Sequence, residues 1–279
     1  MSGQLYVVAT PIGNLEDITF RAVRVLKEVS AIACEDTRQT RKLLEHYSIS
    51  TPLVSYHEHN EKERTAELLE RMKSGATVAL VTDAGTPLVS DPGYRLVAAA
   101  IEANILVTPV PGPAAPLAAL AAAGLPTHRF RFLGFLPPKP GRRQAVLAAL
   151  GTSEETTILF EAPHRVVTTL REIENTLGPN RPVVAAREIT KLHEEFVRGT
   201  AAEVRQDLAG RPSLRGEFTI LIGPSAEGSG STSAEAVDYR RELEILLRQG
   251  VARMDAVKQL ARRYGLGKRD VYRLIEEQS

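Results

Sequence analysis

Short apolar runs alternate with polar loops and amphipathic segments along the first 120 or so residues of the chain. The runs are Q-L-Y-V-V-A (4–9), A-I-A-C (31–34), A-T-V-A-L-V (76–81) and I-L-V-T-P-V (105–110). Segments with helical spacing lie between them, such as N-E-K-E-R-T-A-E-L-L-E-R-M-K (60–73). Unbroken apolar strands that alternate with helices are typical of a parallel sheet covered on both faces. We therefore predict an α/β domain over residues 1–122.

The pattern changes after Gly124, where strand-like segments become more frequent than helical ones. These segments are R-F-R-F-L-G-F-L (129–136), T-T-I-L-F-E (156–161), P-V-V-A-A-R (182–187), E-E-F-V-R-G (194–199) and E-F-T-I-L-I-G (217–223). Strands that are not regularly separated by helices favour a mixed sheet. We predict a second α/β domain over residues 123–224, with a ligand cleft between the two domains.

The last fifty residues have the pattern of a linker followed by a small helical module. Residues 225–234 are mostly small and polar, which is typical of a flexible linker. Residues 235–279 then carry two apolar stripes on either side of Gly265, and the stripes are Val257, Leu260, Ala261 and Val271, Leu274, Ile275. This spacing predicts a helix-turn-helix-like module. A plain helical hairpin used for dimerisation is the alternative.

A rigid, turn-dense loop follows the third apolar run. It contains D-A-G-T-P-L-V-S-D-P-G over residues 83–93, and its prolines exclude both a helix and a central strand. In parallel sheets, ligands bind beyond the carboxyl ends of the strands. The segments T-P-I-G-N (10–14), E-D-T-R (35–38) and P-G-P-A-A (111–115) end at the same edge of the predicted sheet. We expect the backbone of these loops to hold a small polar ligand.

Several common kinds of site are excluded by their missing motifs. The chain has no G-x-x-x-x-G-K-[ST], no G-x-G-x-x-G after its first strand and no nucleophile elbow. Asp83 and Asp91 do not have a recognised metal-ligand spacing, and no metal is expected. The single cysteine, Cys34, cannot form an internal disulfide, which suits a reducing cytoplasm. The sequence shows neither a secretory signal nor an apolar run of about 20 residues, so we expect no membrane span.

Basic residues are concentrated in two zones, although the formal net charge is only +1. Residues 103–153 contain no Asp or Glu but do contain Arg129, Arg131, Lys139, Arg142 and Arg143. Residues 253–273 hold seven Lys and Arg against two Asp. Such zones favour a polyanionic partner, and chance clustering of solvated charge is the alternative.

Eight motifs, in order, resemble those of the tetrapyrrole methylase superfamily. They are V-V-A-T-P-I-G-N-L-E-D-I-T, C-E-D-T-R, V-T-D-A-G-T-P-L-V-S-D-P-G, P-V-P-G-P-A-A, F-L-G-F-L-P, F-E-A-P-H-R, R-E-I-T-K and G-E-F-T-I-L-I. Together they span residues 4–223, and more narrowly they resemble the branch named ribosomal RNA small subunit methyltransferase I. Ala114 departs from that branch, which often has a hydroxyl or thiol residue at this position.

The resemblance implies S-adenosylmethionine as methyl donor, bound largely by backbone in the cleft between the two domains. It also implies methylation of the ribose 2′-oxygen of a cytidine in small-subunit (16S) RNA, by a homodimer. Carried over by motif position, the expected cofactor-binding residues are Pro11, Gly85, Pro87, Asp91, Ala115, Ala162 and Thr219.

A ribose hydroxyl loses its proton during methyl transfer, so a base or a stabilising cation is expected near the acceptor. The F-E-A-P-H-R loop supplies the preferred candidates, Glu161 and His164, with Arg165 as a phosphate anchor. Glu188 and Arg38 are the next candidates. The alternative is that Glu161 and Arg165 only pair with each other.

Three hypotheses for the function remain open at this point. The first is a ribosomal RNA methyltransferase that docks its substrate through the basic tail, with Lys258, Arg262, Arg263, Lys268, Arg269 and Arg273 as the available cations. The second is a methylase of a small tetrapyrrole, which would not need a nucleic-acid module. The third is a DNA-binding regulator whose α/β part senses a ligand.

Overall fold

Ten strands form two five-stranded sheets in the part of the chain that the structure describes. The structure is a computed structural model, and it describes residues 3–225, 239–248, 251–263, 267–268, 271, 273 and 275. The chain divides into two compact units, residues 1–228 and 229–279, and the first unit holds both sheets. Among the described residues no helix is long and apolar enough to cross a membrane.

The first sheet is entirely parallel, as the alternating pattern predicts. Its strands are β1 (Gln4–Val8), β2 (Ala31–Cys34), β3 (Leu53–Ser55), β4 (Thr77–Leu80) and β5 (Leu106–Val110), in the order β3-β2-β4-β1-β5. Its helices are α1 (Phe20–Glu28), α2 (Thr37–His46), α3 (Glu61–Lys73) and α4 (Tyr94–Glu102), and a 3-10 turn spans Leu15–Asp17.

Two hydrophobic clusters cover the two faces of this sheet. Ile32 packs with Leu26 of α1 on one face, while its neighbour Ala33 packs with Leu68 of α3 on the other. Successive strand residues point to opposite faces, so a strand covered on both faces is expected to be apolar at nearly every position. Strand β2 meets that demand, since all four of its residues are buried.

The second sheet is mixed, which confirms the expected fold class. Its strands are β6 (Phe130–Phe135), β7 (Thr156–Glu161), β8 (Pro182–Arg187), β9 (Glu195–Thr200) and β10 (Phe218–Ile222), in the order β6-β7-β10-β8-β9. Strands β6 and β7 are parallel, and every other pair in the sheet is antiparallel. The helices in this part are α5 (Ala115–Ala123), α6 (Pro140–Ala148), α7 (Val166–Leu177) and α8 (Ala201–Ala209).

Helix α5 follows the first sheet in the chain but packs against the second. Ala119 and Leu120 lie in one hydrophobic cluster with Ile158 and Val184 of the second sheet. The helix ends at Gly124, whose φ of 76° is left-handed. The boundary between residues 122 and 123 stays a prediction, and by its packing α5 joins the second sheet.

The described part of the C-terminal unit is helical and has its own small core. It contains α9 (Tyr239–Arg248) and α10 (Arg253–Arg263). Leu260 and Val257 of the first predicted stripe are buried together with Val271 and Ile275 of the second. Residues 226–234 of the predicted linker, Leu274 of the second stripe and the turn at Gly265 lie outside the described residues.

A buried arginine connects three segments of the second domain. The Arg181 guanidinium donates to the carbonyl oxygens of Gly223 at 2.8 Å, Leu150 at 3.0 Å and Gly151 at 3.3 Å. Burial lowers the pKa of Arg181, and no carboxylate partner is found for it among the described residues. The side chain therefore satisfies carbonyl groups that would otherwise be buried without a partner.

We expect Arg181→Met to lower the free energy of unfolding by about 2–3 kcal/mol, because the substitution leaves several carbonyl oxygens without their donors. Chemical denaturation followed by circular dichroism measures the change. Arg171→Met on α7 is the control, since Arg171 is exposed. Equal stabilities for the two variants would contradict the assigned role.

Candidate active site

The turn-dense loop after β4 is fixed by hydrogen bonds to two neighbouring loops. Thr10 and Gly85 pair through both of their backbone groups, at 2.8 and 3.0 Å. The Thr10 hydroxyl donates to the carbonyl of Thr82 at 3.0 Å, and the Thr86 hydroxyl donates to the carbonyl of Pro113 at 3.1 Å. The loops after β1, β4 and β5 thus form one connected edge.

The backbone of this loop adopts unusual angles. Gly85 has a φ of 89°, while Leu88 and Ser90 have φ values of 72° and 69°. Left-handed conformations cost a non-glycine residue free energy, and they concentrate at functional sites. The surrounding hydrogen bonds hold the loop in this shape, so its form is set before any ligand binds.

A cleft of about 350 Å³ lies between this edge and the second sheet. One wall is formed by the loops after β1, β4 and β5, and the other by β6, the end of β7 and the start of β10. The lining residues are Ile12, Ala84, Gly85, Thr86, Val89, Ser90, Asp91, Ala114, Ala115, Pro116, Phe135, Phe160, Glu161, Ala162, Pro163, Glu217, Phe218 and Thr219. The volume lies within the range of small-molecule sites.

The structure brings most of the expected cofactor-binding residues together. Gly85, Asp91, Ala115, Ala162 and Thr219 all line the cleft. Pro11 and Pro87 do not line it. Both are buried, and each is adjacent in sequence to a lining residue, Ile12 and Thr86 respectively. These assignments stay predictions, because their support is the position of the residues in the cleft.

The polar groups of the cleft suit a ligand that carries both a carboxylate and hydroxyl or ammonium groups, as S-adenosylmethionine does. Helix α5 begins at Ala115 with no side-chain cap and no acidic residue in its first turn. Ala114 and Ala115 line the cleft, so the N-terminus of this helix borders it, and the positive end of the helix dipole favours an anionic group. Asp91 lies on the loop side, where burial raises its pKa, and Glu217 lies on the opposite wall. Both carboxyl groups can accept hydrogen bonds from a ligand.

Glu161 lines the cleft, but its carboxylate is already occupied. It is 2% exposed, accepts from the backbone N–H of Ala162 at 2.9 Å and from the Thr169 hydroxyl at 2.5 Å, and lies 3.3 Å from Nε of Arg165. These contacts favour the alternative in which Glu161 and Arg165 pair with each other. Arg165 also donates to the carbonyl of Leu136 at 3.5 Å, so it braces the loop after β6.

Glu188 belongs to an ion-pair network at the edge of the cleft. Its carboxylate contacts the Lys191 ammonium at 2.8 Å, which in turn lies 2.9 Å from the carboxylate of Glu217. The hydrogen bond from Lys191 lowers the pKa of Glu188, which makes Glu188 a weaker base. Its φ of 50° is left-handed, so the R-E-I-T-K loop is strained where it meets the cleft.

Arg38 and His164 lie outside the cleft lining. The Arg38 side chain is 85% exposed and pairs with Asp36 at 2.8 Å, and this hydrogen bond lowers the pKa of Asp36 to about 2. His164 is exposed and follows the lining residues Ala162 and Pro163. Among the five expected catalytic residues, His164 is therefore the one beside the cleft with a solvent-facing side chain and no hydrogen-bond partner in the described part of the chain.

The sequence pattern did not identify the aromatic wall of the cleft. Phe135 and Phe160 line the cleft. The centroid of the Phe160 ring lies 5.0 Å from that of Phe132 and 5.6 Å from that of Phe135. The pairing register of β6 and β7 shifts between Phe132 and Phe135, and Gly134 has a φ of 64°. This bulge turns Phe135 to the cleft, and the glycine in F-L-G-F was the only signal for it.

The cleft and the two-sheet architecture agree with the comparisons to known proteins. Residues 4–205 match the family described as Tetrapyrrole (Corrin/Porphyrin) Methylases. The chain belongs to the tetrapyrrole methylase family. It is 49% identical to Ribosomal RNA small subunit methyltransferase I of Synechocystis sp., across 99% of this chain and 98% of that relative. It is 43% identical to the protein of the same name from Bacillus subtilis, across 97% and 93% of the two chains.

Solved structures share the tetrapyrrole methylase fold at lower sequence identity. Uroporphyrin-III C-methyltransferase from Thermus thermophilus, crystallised with S-adenosyl homocysteine, aligns with a TM-score of 0.54 and 22% identity over 81% of this chain and 99% of that chain. Identity at this level supports the fold alone. Within the described residues, no three His, Cys, Asp or Glu side chains gather as a metal site.

We expect Gly85→Val to lower the affinity for S-adenosylmethionine at least about tenfold. A Cβ at Gly85 would lie 3.3 Å from Ile12, and a β-branched residue resists a φ of 89°. Isothermal titration calorimetry on the folded variant measures the affinity.

Gly124→Val is the matched control, because Gly124 also has a left-handed φ but has open space around its Cβ position and does not line the cleft. Similar affinities for both variants would show that the loop after β4 does not contact the cofactor.

Proposed function

We propose that this chain transfers the methyl group of S-adenosylmethionine to the ribose 2′-oxygen of a cytidine in small-subunit ribosomal RNA, in the cytoplasm. The observation that carries the proposal is the 49% identity, over 99% of the chain, to a protein named Ribosomal RNA small subunit methyltransferase I. The cleft and its fixed loops support the same chemistry. Ribose and cytidine as the acceptor rest on the motif resemblance.

The protein's main task in this reaction is alignment. S-adenosylmethionine supplies an activated methyl group on a sulfonium, and in-line displacement demands a fixed acceptor. The loop after β4 and the start of α5 would hold the cofactor on one wall, with Ala162 and Thr219 on the other. Because the loop hydrogen bonds already exist, little conformational entropy is lost when the cofactor binds.

The acceptor side of the cleft is formed by the F-E-A-P-H-R loop. Glu161 and Arg165 hold this loop through their ion pair and through Thr169, so they position it rather than exchange protons. His164 is exposed on the same loop and directly follows the lining residues Ala162 and Pro163, so it is available to a ribose hydroxyl bound at this end of the cleft. We assign proton removal to His164 and loop positioning to Glu161 and Arg165. Glu188 and Arg38 are secondary candidates because each is already paired.

We expect His164→Ala to slow single-turnover methylation of small ribosomal subunits by about a hundredfold, because a positioned base typically contributes on the order of 10²–10⁴. The affinity for S-adenosylmethionine should change little, since His164 does not line the cleft. Rapid-quench transfer of labelled methyl groups measures the rate.

His128→Ala is the control, since His128 is an exposed histidine of the same domain. A wild-type rate in His164→Ala would remove His164 from the mechanism. The ion pair of Glu188 with Lys191 would then be the next group to test.

The C-terminal unit has the charge of an RNA-docking module. Lys258 pairs with Asp255 at 2.8 Å, while Lys268 and Arg273 are exposed. The side chains of Arg262, Arg263 and Arg269 lie outside the described residues. We infer that this unit contacts RNA phosphates and that the chain acts as a homodimer, as the motif resemblance implies.

Removal of residues 226–279 should leave the affinity for S-adenosylmethionine intact and lower kcat/KM for small subunits. The loss should shrink as salt rises, because phosphate contacts release counterions and weaken with ionic strength. The measurement is methyl transfer at several salt concentrations, with sedimentation velocity of both proteins. A truncated chain that is fully active but monomeric would assign the unit to dimerisation instead.

A further inference from the structure

We propose that the loop after β6 and the start of α6 form a second RNA-contacting surface, made by Phe135, Lys139 and Arg142, that binds nucleotides beside the methylated one. This inference rests on the proposed function, because it assumes that the acceptor is RNA. The cations of this region fall into two groups: those whose side chains are paired with carboxylates, and those whose side chains are unpaired and can bind a ligand.

Residues 103–153, which contain no Asp or Glu, form an acid-free zone in the sequence. Most of its cations are paired with carboxylates from outside this range. Arg131 lies 2.9 Å from Glu155, Arg129 lies 3.4 Å from Glu154, and Arg143 donates to Glu172 at 2.6 Å. The zone is therefore much less positive in the structure than in the sequence. The exceptions are Lys139 and Arg142, whose side chains are exposed and have no ion pair or hydrogen bond among the described residues.

The chain between Phe135 and Lys139 is held rigidly. Leu136 is buried, and its carbonyl accepts from Arg165 at 3.5 Å. The carbonyl groups of Pro137 and Pro138 accept from Arg143 at 3.5 and 3.3 Å. Two arginines, each neutralised by a buried or half-buried glutamate, thus fix the backbone from which the free cations project.

Phe135 connects this segment to the cleft. Its ring lines the cleft and packs against Phe160, yet 58% of the residue is exposed. The bulge at Gly134 fixes the ring, and a Cβ at Gly134 would lie 3.0 Å from the Ser90 hydroxyl. Lys139 follows four residues later, which is at most ~14 Å of extended chain. The free cations therefore lie within a few nucleotides of the cleft.

The placement of Lys139 and Arg142 is poorly explained by folding stability. Both residues sit at the first turn of α6, where the positive end of the helix dipole disfavours cations. An exposed aromatic ring followed by unpaired cations is the arrangement that binds single-stranded RNA, through base stacking and phosphate contacts. Charge complementarity favours RNA over a second copy of this chain, whose net charge is near zero.

The test uses the full-length Lys139→Ala/Arg142→Ala variant and measures methyl transfer to unmethylated small ribosomal subunits over a range of KCl concentrations. We expect kcat/KM to fall about tenfold at low salt through a higher KM. The slope of log kcat/KM against log salt should become shallower by about 1–1.5 units, since each lost phosphate contact contributes about 0.7 for a single strand. Cofactor affinity should not change.

Lys62→Ala/Arg171→Ala is the matched control, because it removes two exposed cations from α3 and α7. A second variant, Phe135→Leu, keeps an apolar cleft wall but removes the ring, and it should raise KM for subunits more than it changes cofactor affinity. Wild-type values of kcat/KM and of the salt slope in the double variant would overturn the proposal.

Direct binding separates this proposal from the proposed function. If the wild-type protein fails to methylate subunits, the proposed function is wrong. The surface can still be tested in that case, by comparing the Kd of each variant for the same subunits. A salt-dependent Kd that is weaker in Lys139→Ala/Arg142→Ala than in the control supports the surface. Equal Kd values for the two variants refute it.

Discussion

The paired backbone hydrogen bonds between Thr10 and Gly85 are the constraint on which the cleft depends. They join the loops after β1 and β4, and Thr86 extends the connection to the loop after β5 through Pro113. The loop after β4 holds Leu88 and Ser90 in left-handed conformations, which cost free energy and require support from the surrounding structure. The parallel sheet supplies the positions of these loops, but the loop-to-loop hydrogen bonds supply their shape. A site that binds largely through backbone groups needs this fixation, since a backbone has no rotamers with which to adapt.

On the second domain's side of the cleft, side-chain contacts rather than backbone hydrogen bonds fix the loops. Its charged residues are mostly consumed in internal contacts: Glu161 with Arg165 and Thr169, and Lys191 between Glu188 and Glu217. A buried or half-buried ion pair loses much of its Coulomb energy to desolvation, so the presence of such pairs is weak evidence for stability. They hold the loops of the second domain in place along the cleft.

The sequence predicted the architecture more fully than the chemistry. Apolar runs such as A-I-A-C indicate burial directly, because a strand covered on both faces is mostly apolar, and the parallel and mixed sheets follow from their spacing. The packing of α5 against the second sheet was not predictable from its place in the sequence, because nothing in an Ala-rich helix indicates which sheet it packs against. Phe135 was missed because a bulge, rather than strand alternation, sets its direction. The positive charge of the acid-free zone was overestimated for a related reason. Its arginines form ion pairs with Glu154, Glu155 and Glu172 only in the folded chain.

These contrasts give a physical criterion for assigning roles in the cleft. A charged group with two or more internal partners, such as Glu161, has its position fixed by the fold. A charged or polar group on the same rigid segment without partners keeps its full capacity for a ligand. His164 follows Glu161 on one loop, and Lys139 follows the arginine-braced prolines on another. In both cases the paired residue holds the backbone while the unpaired neighbour is exposed to solvent. The unpaired side chains on these segments are therefore the ones available to a ligand, and the ion pairs determine where those side chains stand.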